Sequence, residues 1–290
     1  MNFIYFILSV LLLLAPAPTT ASEIIPIAGN KGTKKSYLHL VESKGGDPLA
    51  IADYYSPDSS RPAVSMLILR QALSLGGMNS DFFFITCPNP GRSINEVKNG
   101  RAVLYSSDIW EQEFDDSVYK TAPLLQRGEF QKGIYVNKKS LLLKNNPTVL
   151  SLKKKTPLVE HTWTTDIETL KQIGFKNIQT APQYDLLFKM INRDRADFTL
   201  LDFPLNKNLI VQSTDGDLYP LPNVKVVFPH SRHFMVSKKH PQGKIVFEAL
   251  EKGLKIMREN GTIKRALRQS YIINEKVKDW DIIYPTPSLP

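Results

Sequence analysis

Helix punctuation is the feature that most constrains this chain. Short helices are marked at their starts by Ser/Thr-x-x-Glu/Gln patterns and at their ends by glycine, and short apolar runs separate them. Ser93-Ile94-Asn95-Glu96, Thr165-Asp166-Ile167-Glu168 and Thr180 with Gln183 each read as a capping box. Gly76-Gly77, Gly100, Gly174 and Gly261 read as helix stops. Between them, Asp81–Thr86, Arg101–Ser106, Gly133–Asn137, Leu158–Glu160 and Phe198–Leu201 have the length and residue types of buried strands. Tyr37–Val41 reads as one more. Strands alternating with helices predict an α/β fold with largely parallel sheets.

A weak internal repeat adds to this. Arg101-Ala-Val-Leu-Tyr-Ser-Ser-Asp108 and Arg195-Ala-Asp-Phe-Thr-Leu-Leu-Asp202 each follow a helix, and each places an Asp just past a strand. Ligands of open α/β sheets bind outside the carboxyl ends of strands, so two such units predict two lobes with a cleft between them. The last part of the chain predicts strand and turn over 221–242, then helices over 242–260 and from Thr262 to Tyr271. The Pro-rich tail ending at Pro290 reads as extended.

The first residues bear on compartment. Phe3 to Ala15 is almost wholly apolar, Pro16 ends the run, and small residues follow. That pattern predicts a signal peptide over residues 1–22, cleaved after Ala21, and hence export to the periplasm; a monomer is expected there. No later segment has 18 consecutive apolar residues. Cys87 is the only cysteine, so no internal disulfide can form. The formal net charge is +9, a balance that favours anionic surfaces or ligands, and export excludes nucleic acid as the expected partner. There is no Gly-x-Ser-x-Gly elbow and no P-loop. His230 and His233 are the nearest approach to a metal pair but lack a third ligand, so neither metal nor cofactor is expected.

Several stretches carry a family resemblance. Asn192-Arg-Asp-Arg-Ala-Asp-Phe-Thr-Leu-Leu-Asp-Phe-Pro204 resembles the second-lobe signature of solute-binding protein family 3, the polar amino-acid receptors of ABC importers. Val236-Ser-Lys-Lys-His-Pro-Gln-Gly243, with Gly261-Thr262 before the last helix, is similar to that family's ending. Thr162-Trp-Thr-Thr165 sits where the family has its anion-binding turn. The resemblance implies a two-lobed type 2 periplasmic binding protein-like fold with two inter-lobe crossovers. Lobe one would be 23–127 plus 223–290, and lobe two 128–222. It also implies a receptor that closes on a small polar ligand for uptake or sensing, with an inner-membrane permease or sensor as partner.

Site residues follow from the same resemblance. Asp202 takes the position of the carboxylate that pairs with a ligand's ammonium group, and Thr164 and Thr165 that of the anion-binding helix start. Where the family carries a carboxylate-clamping Arg, this chain reads Ser107-Asp108-Ile109-Trp110. An indole can stack but cannot neutralise an anion. The expectation is therefore a ligand other than an ordinary α-amino acid, cationic or flat, meeting Asp202 and Trp110, with Asp108 and Ser107 nearby. Glu42 and Tyr54 are further candidates for the cleft wall. A small-molecule lyase of the dehydratase kind is one alternative, with Asp202 and either Glu42 or Asp108 as acid and base. A module that has lost its ligand and works through protein contacts is another.

Overall fold

A computed structural model describes residues 24–285 apart from 57–59, 146 and 205. The expected signal peptide and the final residues of the tail lie outside the described residues. The first part of the chain forms β1 (Ile25–Asn30), α1 (Lys31–Ser43), α2 (Arg61–Leu75), β2 (Phe82–Cys87), α3 (Pro90–Lys98), β3 (Leu104–Tyr105), β4 (Ile109–Trp110) and β5 (Val118–Lys120). The middle forms β6 (Gln131–Val136), α4 (Leu141–Asn145), α5 (Val149–Leu152), β7 (Pro157–Glu160), α6 (Thr164–Ile173), β8 (Gln179–Ala181), α7 (Tyr184–Asn192), β9 (Phe198–Leu201) and β10 (Tyr219–Val227). The last part forms β11 (Arg232–His233), β12 (Met235–Ser237), α8 (Gly243–Glu259), α9 (Thr262–Gln269) and β13 (Asp281–Ile283).

Two sheets result, one to a lobe. The first has the order β2-β1-β3-β12-β5 and the second β13-β10-β6-β9-β7-β8. In the first, β1 runs parallel to β2 and β3, with Ala28 opposite Ile85 on one side and Tyr105 on the other. In the second, β7 is parallel to β8 and β9, while β6 is antiparallel to β9 and β10. A small ribbon, β4 with β11, stands beside the connections between lobes. Those connections follow β5 and β10.

The chain then passes between lobes a third time. β13 pairs in parallel with β10 on the second sheet, so the closing segment leaves the lobe that carries α8 and α9. Lys225 explains the attachment: its ammonium donates to the carbonyls of Val277 (2.6 Å) and Lys278 (3.2 Å). Val277 is buried, and Trp280 meets the ring of Phe203 edge-on. Assigning all of 223–290 to lobe one is corrected accordingly, and the expected break at 222/223 falls inside β10.

Local signals fare unevenly. Tyr37–Val41 is helical, not a strand, because the Asn30 side chain accepts from the amide of Thr33 (2.8 Å) and starts α1 just after β1. Tyr37, Leu40 and Val41 then share the buried face at i, i+3 and i+4. The capping boxes mark helices without capping them. α3 begins earlier, on Asn89, whose side chain accepts from Arg92, and Glu96 pairs instead with Arg92 and Arg101. Thr180 lies in β8, and α7 starts at Tyr184.

In the first lobe, α2 is buried on nearly every side from Ala63 to Leu73 and packs on α8, which in turn meets α9. The two helices approach closely at glycine. A Cβ on Gly253 would stand 1.7 Å from the Ala72 carbonyl oxygen, and one on Gly76 would stand 1.9 Å from that of Ala249. Both contacts are to backbone, which cannot swing aside. Gly253→Ala should therefore destabilise the fold by about 1–3 kcal/mol despite its better helix propensity, read as a lowered midpoint in urea unfolding.

Candidate functional site

The carboxyl ends of β1 and β3 deliver the site's central group. Beyond β3 the chain turns so that the Asp108 amide donates to Ser65 Oγ on α2 (2.9 Å). The Asp108 carboxylate is 1% exposed and holds two guanidiniums. Arg61, in the first turn of α2, donates Nη1 to Oδ1 at 2.7 Å. Arg232, on β11, donates Nε to Oδ2, and its Nη2 reaches the Asp108 carbonyl at 2.8 Å. Ser107 Oγ adds a bond to Oδ1 at 3.1 Å. Burial alone would raise this carboxyl group, but Arg232 and Arg61 outweigh burial and hold it well below the ordinary carboxylate range.

Arg61 also reaches across the cleft. Its Nε donates to Asp202 Oδ2, just past β9 on the second lobe, at 3.2 Å. Asp202 is 43% exposed, so one face of its carboxylate remains open to solvent. Burial disfavours the Arg61 cation, and the two carboxylates more than offset that. Aromatic rings line the same place. The Arg232 guanidinium lies 4.2 Å from the Trp110 ring, and Trp110 is stacked on Phe228 and edge-on to Phe130. Arg61 lies 5.4 Å from the Phe130 ring. Beside these groups is a cavity of about 290 Å³ walled by both lobes, with Arg61, Phe130, Tyr184, Asp202, Phe203 and Tyr271 among its lining.

No protein-family model matches the chain, and no curated protein sequence does. Solved structures do. A variant of ArgBP from T. maritima is 16% identical over 86% of this chain and 95% of that one, at a TM-score of 0.53. The periplasmic VFT2 domain of BvgS from Bordetella pertussis is 10% identical over 85% and 93%, also at 0.53. The ancestral amino acid-binding protein AncCDT-1, a precursor of cyclohexadienyl dehydratase, is 16% identical over 86% and 95%, again at 0.53. The fold is that of the two-lobed type 2 periplasmic binding proteins. The resemblance to solute-binding protein family 3 carried by the sequence holds at this level, as a divergent form of that fold.

The structure gathers only some of the expected residues at the cavity between the lobes. Asp202 lines the cavity. Asp108, Ser107 and Trp110 stand behind it, already engaged by the chain's own side chains. Thr164 is exposed and Thr165 buried at the start of α6, and neither lines the cavity. Asp166 fills the first turn of that helix, paired with Lys132 at 2.5 Å, so the positive helix end already faces a carboxylate. Burial raises the Asp166 carboxyl group despite Lys132. Glu42 is exposed at the end of α1, and Tyr54 is buried in the first lobe, its hydroxyl donating to Gln71 Oε1 at 2.5 Å. These two do not belong to the cleft. His233 is held by the Thr121 carbonyl and Ser231 Oγ, both at 2.7 Å, apart from His230. Among the described residues no three His, Cys, Asp or Glu side chains are grouped to hold a metal, and no helix is long and apolar enough to cross a membrane.

Arg61 and Arg232 are the residues that sequence reading missed. Both cations stand where the Trp110 departure suggested none. The signal that could have found them is Asp108 itself, because a carboxylate buried at a strand end must be paired.

Proposed function

We propose that the protein is an exported binding module whose two lobes close on a small polar ligand, delivering it to a membrane permease or reporting it to a sensor. The observation that supports this reading is the pairing of Arg61 with Asp202 across a cavity shared by the two lobes. A carboxylate that still faces solvent at a cleft mouth is free to take a second cationic partner when water is excluded on closure.

The charges support a particular kind of ligand. Arg61, Arg232, Asp108 and Asp202 together carry no net charge, so the cleft has no spare guanidinium for a free carboxylate. An amino acid would have to displace Asp202 from Arg61, or Arg61 from Asp202, and ordinary amino acids are expected to bind weakly. The flat face of Trp110 is occupied by Arg232. A surface for the body of the ligand comes instead from the more exposed rings of Tyr184 and Tyr271 on the cavity wall. A small ligand carrying an ammonium group and an apolar or aromatic body fits best. Asp202→Asn should weaken such a ligand by about 1.5 kcal/mol, roughly tenfold, in calorimetric titration. Affinity indifferent to this substitution would remove Asp202 from the site.

One alternative gains from the same pair. A cleft held shut by its own Arg61 and Asp202 suits a module that has given up small ligands and works through its surface. A melting-temperature screen against small metabolites separates the two, since a ligand at a hundred times its Kd stabilises by about 2.7 kcal/mol. The lyase alternative keeps Asp202 but loses its partner: Asp108 is held between two guanidiniums, and Glu42 is outside the cleft.

A further inference from the structure

On the second lobe, away from the cleft lining, residues 138–155 carry six lysines and no acidic residue. The stretch includes α4 and α5. Each helix turns one leucine inward, Leu142 and Leu152, both buried. Each also leaves one outward, Leu141 at 67% exposure and Leu150 at 73%, with Val149 half as exposed beside it. Leucines so exposed on a folded lobe are unpartnered apolar surface ringed by positive charge. Lys155 pairs with Asp197 at 3.4 Å, whereas among the described residues Lys138, Lys139, Lys144, Lys153 and Lys154 form no ion pair. Lys139, Lys155 and Arg195 border one polar hollow of about 410 Å³ with Leu141 at its edge, where Asp194 and Asp197 are tied to Asn137 and the Thr156 amide.

We propose that this patch docks the protein on an anionic lipid bilayer. The inference is independent of which ligand the cleft takes. Two features favour lipid over an acidic protein. The stretch 138–155 contains no Arg and no aromatic residue. Protein interfaces are enriched in those residues and depleted in Lys. Lysines are hydrated point charges on flexible stems, suited to a diffuse layer of headgroups, and the two outward leucines can enter the headgroup boundary between them.

Flotation of the full-length protein with vesicles tests this. Vesicles of phosphatidylglycerol mixed with phosphatidylcholine should capture the protein well above vesicles of phosphatidylcholine alone, and high salt should remove the excess. The apolar run near the amino terminus and the other basic residues are common to all samples, so the loss on substituting the patch lysines reads the patch. Each lysine at such a surface contributes about fivefold to partitioning. Lys138→Gln, Lys139→Gln, Lys144→Gln and Lys154→Gln combined should therefore cost about 600-fold. Leu141→Ser with Leu150→Ser should cost about tenfold while leaving the charge unchanged. All six side chains are exposed, so both variants should melt with the wild type. Equal recovery on the two lipids overturns the proposal. So does an anionic-lipid preference that survives the lysine substitutions.

Discussion

Asp108→Asn should be the most damaging polar substitution in this chain, lowering stability by about 3–5 kcal/mol in urea unfolding. The asparagine fits the space, so the loss is electrostatic. Arg232 is 7% exposed and Arg61 16%, and both would keep a positive charge with no buried anion between them. The amide can still accept one bond, but its NH2 group must face the other guanidinium. The pH dependence follows from the sign of the shift. Asp108 is held well below the ordinary carboxylate range in the folded protein, so its contribution is complete above the unfolded value of about 3.9. It is lost as pH falls through the folded value. The gap between wild type and variant should therefore be flat across neutral pH and narrow only below about pH 4. A gap that closed between pH 6 and 8 would mean that a group other than Asp108 carries the effect.

How much of this was legible in the sequence depends on distance along the chain. Helix starts and stops are local, and the strand-helix alternation survived even where each cap was misplaced. Asn89 and Asn30, not the boxed Ser and Thr, do the capping. β1 was hidden by Pro26 and by the stronger strand propensity of Tyr37–Val41, which local pattern cannot weigh against an Asn cap seven residues earlier. The site was less legible, because its partners are remote. Arg61 and Arg232 stand 47 and 124 residues from Asp108, and nothing near either arginine marks it as buried. Asp202 was readable because the repeat placed it past a strand, as it placed Asp108. The third passage of the chain was missed for the same reason. Lys225 holding the carbonyls of Val277 and Lys278 is a contact across 52 residues that no local pattern announces.

The two bonds of Arg61 should prove unequal, and their ratio decides whether the cleft can open. Asp108 and Arg61 meet at 2.7 Å on the same lobe, both sheltered from water. Asp202 meets Arg61 from the other lobe at 3.2 Å with its carboxylate 43% exposed, so solvent screening discounts that pair to about 1 kcal/mol or less. Arg61→Ala should cost about 2–4 kcal/mol overall, most of it from the charged bond to Asp108. Double-mutant cycles in unfolding should then return a coupling of at least 1.5 kcal/mol for Arg61 with Asp108 and under about 1 kcal/mol for Arg61 with Asp202. With that ratio Arg61 stays on the first lobe when the lobes part, and only its weaker bond breaks. A ligand ammonium arriving at Asp202 then competes with a contact that costs little to give up, as a working receptor requires. Equal couplings would instead mean that the Arg61 bridge locks the lobes together, and the ligand-free interaction module would become the better description of the protein.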